Sequence, residues 1–175
     1  MKLAVAAHST DSEHLAPKIE EFFDELMKCA KPAILVGGYW GLMKRIVDEA
    51  LRRGLLVVAF LPIEREDVEM PEGVVGVKTG CEYRCRSVML IRSADVVVAF
   101  GGAAGTMIEV LMGYAMGKPV FVLTNTGLAS DNLQKAFPDY IDERRTAVVR
   151  YFDDPRQMAR EVCKAQIGGK TAEFG

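Results

Sequence analysis

The chain of 175 residues has little of the residue types that announce specialised chemistry. It has two histidines, His8 and His14, and four cysteines, Cys29, Cys81, Cys85 and Cys163. Cys81 and Cys85 are spaced C-x3-C, but no second Cys/His pair lies near them to complete a zinc-type ligand set, so no metal site is expected. The cysteines read as ordinary reduced thiols in a cytoplasmic protein. There is no excess of one charge: 22 Lys and Arg stand against 24 Asp and Glu, a net charge of −2. That removes the basic footprint of a nucleic-acid-binding protein. No stretch of 18 residues is apolar and free of charges, so no membrane-spanning helix is expected. The segment Met1–His8 lacks a signal-peptide cleavage pattern and reads as a first core strand. There is neither an internal repeat nor a linker, and the length suits one domain, expected over residues 1–167 with a flexible tail at 168–175.

Apolar strands and amphipathic helices alternate along the chain. Leu3–His8, Ala33–Val36, Leu55–Leu61, Asp95–Phe100 and Pro119–Thr124 are short apolar runs, as expected of strands buried on both faces. Leu15, Ile19, Phe22, Phe23 and Leu26 recur at helical spacing. So do Leu42, Met43, Ile46, Val47, Ala50 and Leu51, with Gly54 placed to end that helix. Residues 63–80 are polar and irregular, with Val74–Val77 a candidate short strand inside them. A helix follows from about Glu82 to Ser93, with Val88, Ile91 and Met89 expected to face inward. The helix from Thr106 to Met116, a helical stretch at Gly127–Ala136, a sixth strand at Ala147–Tyr151 and a last helix at Pro155–Ala165 complete the pattern. Repeated βα units of this kind predict an α/β fold: a single Rossmann-like, doubly wound parallel sheet with helices on both faces. In the order 3-2-1-4-5, the loops after strands one, two and four face one crevice beyond the carboxyl ends of the strands, where such folds bind ligands.

Those three loops carry the candidate chemistry. Gly101-Gly102-Ala103-Ala104-Gly105-Thr106 joins an apolar strand to an apolar helix. Backbone N–H groups at such a turn, with the positive end of the helix dipole, suit a phosphate; the same glycines also suit a tight turn with no ligand. The run is neither G-x-G-x-x-G nor a Walker A loop, since no G-K-[ST] follows. Glu109, one turn into an otherwise apolar helix, is a candidate acid or base, or a solvated surface carboxylate. Gly37, Gly38 and Gly41 form a second strand–glycine–helix junction around Trp40, which suits either stacking on a flat base or plugging the rim of the domain. Of Arg84, Arg86 and Arg92, Arg86 is best placed to reach the crevice and bind phosphate or ribose.

Two segments together resemble the Lonely Guy (LOG) phosphoribohydrolases and their wider Rossmann-fold superfamily. Ile34-Leu35-Val36-Gly37-Gly38-Tyr39-Trp40-Gly41-Leu42-Met43, with Gly54 to Pro62 following, looks like the first glycine signature of that family. Phe100-Gly101-Gly102-Ala103-Ala104-Gly105-Thr106-Met107-Ile108-Glu109 is similar to the second, P-G-G-x-G-T-x-x-E, but lacks the proline and has one residue more before the G-T pair. The E-R-K-x-x-M pattern ahead of strand four is reduced to its arginine, in Cys85-Arg86-Ser87-Val88-Met89-Leu90. These departures resemble the divergent branch of the superfamily, whose members have carried lysine-decarboxylase and molybdenum-cofactor-carrier labels. No lysine is marked for a pyridoxal phosphate, so the decarboxylase reading is set aside.

The resemblance implies binding of a nucleotide or other phosphorylated small ligand. It also implies hydrolysis of the N-glycosidic bond of a nucleoside 5′-monophosphate, or non-catalytic carriage or sensing of a nucleotide-derived cofactor such as the molybdenum cofactor. Arg86 and Glu109 are then the reactive pair. Ser9, Gly37, Gly38, Gly41, Gly101, Gly102, Ala103, Ala104, Gly105 and Thr106 are the phosphate- and nucleotide-binding candidates. No cofactor is required beyond a bound nucleotide or phosphate, no nucleic-acid or membrane partner is expected, and a homodimer or higher homo-oligomer is.

Overall fold

The computed structural model describes residues 1–165. Seven parallel strands form one sheet: β1 (Lys2–Ala6), β2 (Ala33–Val36), β3 (Val57–Leu61), β4 (Val74–Lys78), β5 (Val96–Ala99), β6 (Val120–Leu123) and β7 (Val149–Phe152), in the order β4-β3-β2-β1-β5-β6-β7. The α/β, doubly wound architecture is the one the sequence implies. The predicted neighbours pair as expected, with Leu3 beside both Ile34 and Val96. The short strand at residues 74–78 extends the sheet at one edge, and β7 extends it at the other.

Six helices cover the two faces: α1 (Ala16–Leu26), α2 (Gly41–Arg52), α3 (Tyr83–Ser93), α4 (Ala104–Ala115), α5 (Asn132–Ala136) and α6 (Pro155–Cys163). Alternation along the strands divides the core in two. Leu3 and Val5 join α1, α2 and α6 through Phe22, Ile46 and Met158, whereas Ala4 and Ala6 join α3, α4 and α5 through Ile91, Val110 and Leu133. Burial of this order, on both sides of a parallel sheet, is the main term holding the fold. Gly54 ends α2 as its position suggests. It sits at φ +68°, its N–H bonds to Leu51 O, and Leu55 N–H bonds to Ala50 O, the paired closure of a glycine-terminated helix.

Several expectations are corrected. α3 does not turn Val88 and Met89 inward; both are exposed, and its buried stripe is Arg86, Ser87, Leu90 and Ile91. Helical periodicity assigns apolar side chains to the core, but here two polar residues hold the inner face, where both reach Glu109 of α4. α4 begins at Ala104 rather than Thr106, so Gly105 lies within its first turn. The stretch 127–136 is a short 3-10 turn followed by α5, not one helix. The cysteines are paired, not free: Cys29 with Cys163 and Cys81 with Cys85. Packing of α1 against α6 brings the first pair to a Cα separation of 6.1 Å, and the bend leading into α3 places Cys81 5.4 Å from Cys85 in its first turn, both within the span of a disulfide. Among the described residues no helix is long and apolar enough to cross a membrane, and no cluster of metal-ligating side chains occurs. The domain limit at 167 and the tail at 168–175 lie outside the described residues.

Candidate functional site

At the carboxyl ends of β1 and β5 a cavity of about 560 Å³ opens between the loop after β1, the start of α4, the start of α3 and the start of α2. Parallel strands end there with their following loops diverging to opposite faces, which is the physical origin of the crevice. Seven of the predicted residues line it: Ser9, Arg86, Ala103, Ala104, Gly105, Thr106 and Glu109. Gly37, Gly38, Gly41, Gly101 and Gly102 do not; they stand one layer behind the wall. A second cavity, of about 570 Å³, lies among residues at the opposite ends of β6 and β7, with Arg150, Glu161 and Lys164 at its edge and no buried ionisable group.

The wall beneath the cavity is the α4 N-terminus. Ala103 caps the helix through its backbone alone, and the first intrahelical bond runs from Met107 N–H to Ala103 O at 3.2 Å. The N–H groups of Ala104, Gly105 and Thr106 therefore precede the hydrogen-bonded ladder and border the cavity. Gly102 N–H is not available for a ligand: it donates to Ser130 Oγ at 3.0 Å, and Ser130 N–H donates back to Gly102 O at 2.9 Å. Gly101 takes φ +101° against Thr126, and a Cβ at Gly102 would overlap Thr106. These two glycines set the turn, while Ala103–Thr106 face the cavity.

Glu109 and Arg86 form a buried pair at the cavity's floor. Arg86 Nη1 stands 3.5 Å from Glu109 Oε1, and Ser87 Oγ lies 2.8 Å from the same oxygen and 3.1 Å from Tyr83 O. The serine has one proton and serves one of these acceptors at a time. Burial pushes the Glu109 carboxyl above its ordinary range, with the Arg86 charge and the Ser87 hydrogen bond opposing. Burial also pushes Arg86 down, against the attraction of Glu109. A guanidinium stays protonated under ordinary conditions, so Arg86 remains a cation. Its Nε is buried and has no hydrogen-bond partner among the described residues, a donor that costs free energy until an acceptor reaches it. Gly37 makes room for this group: a Cβ there would overlap Arg86 Nη1.

Other residues line the cavity as well; sequence reasoning weighs Trp40 and Arg84 and places the β1 loop at this edge, but it misses Met43, Arg65, Tyr83 and Ser87. His8 and Thr10 border the cavity from the β1 loop, and Thr10 N–H donates to His8 Nδ1 at 3.0 Å. Trp40, Met43, Arg65, Tyr83, Arg84 and Ser87 also line it. Ser87 was findable as the residue after Arg86. Arg65, in the irregular stretch after β3, carries no local signal.

The fold is Rossmann-like, and the crevice puts a candidate site at the carboxyl ends of the central strands. The chain belongs to the SLOG cluster4 family, whose model matches residues 11–157. It is similar to an uncharacterized protein of Archaeoglobus fulgidus, 30% identical over 87 residues; the match covers 50% of this chain and 56% of that relative's length. Among solved structures it is similar to TM1055, with a TM-score of 0.81 and 30% identity over 94% of this chain and 99% of that one. It also shares its fold with the molybdenum cofactor binding protein of Rippkaea orientalis, with a TM-score of 0.70 and 20% identity over 94% of this chain and 96% of that one.

Proposed function

We propose that the protein binds a small phosphorylated ligand of the nucleotide class in the cavity above α4, and that Glu109 and Arg86 act on its ribose. The observation that carries this reading is the buried Arg86–Glu109 pair standing beside the free N–H groups of Ala104, Gly105 and Thr106 in one cavity. The helix end and Arg84 suit a phosphate dianion. The cavity has three arginines, Arg65, Arg84 and Arg86, and Glu109 is its sole carboxylate, so its field favours an anion.

The chemistry is hydrolysis at the N-glycosidic bond: water adds to the anomeric carbon, the base leaves with the bonding pair and a proton, and ribose 5-phosphate remains. The departing base leaves positive charge on the sugar, which the Glu109 carboxylate stabilises or relieves by taking a proton from the attacking water. The unpaired Arg86 Nε offers a hydrogen bond to a ribose oxygen.

The test is chromatographic detection of free base after incubation with a panel of nucleoside 5′-monophosphates. The expected result is release of base with ribose 5-phosphate, reduced at least about a hundredfold by Glu109→Gln. No release across the panel, with binding retained, supports the second reading, a carrier or sensor of a nucleotide-derived cofactor. The shared fold with the Rippkaea molybdenum cofactor binding protein favours that alternative. Under either reading we place the ligand among small molecules rather than nucleic acids. We further infer self-association through the α4 face, where Ile108, Leu111 and Met112 are only partly buried.

A further inference from the structure

Trp40 is the single tryptophan of the chain, and its ring has two unusual neighbours. The ring packs onto Gly38, where a Cβ would overlap it; the φ of +152° at that glycine and the lack of a side chain let the indole lie against the backbone. The Arg65 guanidinium stands over the ring, 4.8 Å from its centroid. Both residues line the cavity. Arg65 is exposed and, among the described residues, its side chain makes no ion pair and no hydrogen bond. It belongs to a 3-10 turn (Ile63–Arg65) anchored by Ile63 N–H to Cys81 O at 2.8 Å, so the backbone is fixed while the side chain is held by the indole alone.

We propose that Trp40 and Arg65 form a ring-binding clamp: a flat heterocycle enters between the indole and the guanidinium and is stacked by both. Arginine is suited to this because its planar, delocalised cation stacks on aromatic faces and keeps its charge in doing so. An exposed cation on an indole is a weak contact, and stacking of a base on an aromatic side chain is stronger and tolerant of which base is present. Arg65 therefore moves aside at small cost and regains a π-face when the ring is in place. The cavity then divides by chemistry: the α4 N-terminus with Arg84 holds phosphate, Arg86 and Glu109 face the sugar, and Trp40 with Arg65 recognises a ring. This rests on the phosphorylated-ligand reading above and adds which residues select the aromatic part.

The test compares AMP, GMP and UMP with ribose 5-phosphate, which has the phosphate and sugar but no ring. Trp40 itself reports, as the only tryptophan. The expected result is a change of its emission with the mononucleotides and none with ribose 5-phosphate, and affinity for at least one mononucleotide ten or more times higher by calorimetry. Arg65→Ala and Trp40→Leu each cut that preference to threefold or less, Trp40→Phe keeps most of it, and ribose 5-phosphate still binds all three variants, more weakly in Arg65→Ala because the cavity loses one cation, which shows that they are folded. If ribose 5-phosphate binds and the mononucleotides bind no better, or if the preference survives in Arg65→Ala and Trp40→Leu, the clamp is overturned while the phosphate reading stands. If neither ribose 5-phosphate nor any mononucleotide binds the parent protein, the phosphate reading falls, and the clamp with it.

Discussion

Two strand–glycine–helix junctions stand at the same edge of the sheet, β2 to α2 and β5 to α4, and they look alike as sequence. In the first, the helix end is partly closed by the protein itself: Leu42 N–H lies 3.1 Å from His8 O and 3.3 Å from Thr10 O. Its three glycines are spaces for neighbours, Gly37 for Arg86, Gly38 for Trp40 and Gly41 for the Ser9 backbone. In the second, Gly101 and Gly102 are consumed by the turn, and the helix end beyond them opens on the cavity. A glycine-rich junction is thus evidence of close approach, and whether the approaching group is a ligand or another part of the chain depends on which N–H groups are already bonded.

The comparison breaks most visibly at Gly41. It has φ +54°, and a Cβ would overlap the carbonyl of Ser9, a backbone group that cannot swing away. The left-handed conformation alone costs about 1–2 kcal/mol for a non-glycine residue. With the overlap, Gly41→Ala is expected to destabilise by about 2–4 kcal/mol, a fall of roughly 5–10 °C in thermal midpoint. Calorimetry of the variant checks this. A change below about 0.5 kcal/mol would show that the β1 loop yields and that the junction is not the rigid partner described here.

Gly37→Ala tests the same junction through its contact with the site. The added methyl expels the Arg86 guanidinium, which can move toward the cavity, so the stability cost is expected to be smaller, about 1–3 kcal/mol, below the cost of deleting one member of a buried ion pair. Its functional effect is expected to match that of Arg86→Ala, although Gly37 does not line the cavity. Parallel measurement of binding or base release in the two variants decides it; a Gly37→Ala protein that behaves as the parent separates Gly37 from the pair.

Glu109 gives a pH signature. Burial raises its pKa in the folded state above the unfolded value, so the native protein holds a proton over a pH range in which the unfolded chain has released it. That contribution to stability is complete below the unfolded pKa and is lost as pH rises through the folded one. Glu109→Gln removes the ionisation, so the difference between its thermal midpoint and the parent's is expected to shift in the variant's favour from pH 4 to pH 8, on top of the cost of leaving Arg86 without its carboxylate. A gap that is constant across this range would mean that Arg86 and Ser87 fully compensate the burial.

The strands and both helix layers were legible because apolar runs and helical spacing report burial directly; the order of the strands was assumed from the doubly wound pattern, and the sheet has it. That Arg86 and Glu109 stand together was legible too, though through a family pattern and not through periodicity; the fold brings them to 3.5 Å. What the sequence hid follows from tertiary contact. The inward face of α3 is polar, so a hydrophobic pattern assigns Val88 and Met89 to the wrong side. The pairing of Cys29 with Cys163 depends on α1 meeting α6 across a separation of 134 residues. Arg65 reaches the cavity from a stretch with no period at all. The glycine runs identified both junctions but not their difference, since nothing local reveals that Ser130 takes Gly102 N–H and that His8 and Thr10 take Leu42 N–H.

The smallest expected effect is the sharpest, because its two readouts have opposite sign. Gly105 lies in the first turn of α4, its φ is not in the left-handed region, and the nearest atom to an added Cβ is Arg84 Nη1 at 3.6 Å, ordinary contact. Alanine there suits the helix better than glycine by about 0.5–1 kcal/mol, so Gly105→Ala is expected to raise the thermal midpoint by roughly 1–4 °C. The same methyl stands among groups that line the cavity and should obstruct a phosphate approaching the Gly105 and Thr106 N–H groups. Affinity for ribose 5-phosphate is therefore expected to fall about tenfold, a loss of about 1.4 kcal/mol. A tighter fold with weaker binding assigns the anion to this helix end. A tighter fold with unchanged binding would mean that Gly105, like Gly102 behind it, belongs to the turn and that the phosphate rests on the arginines alone.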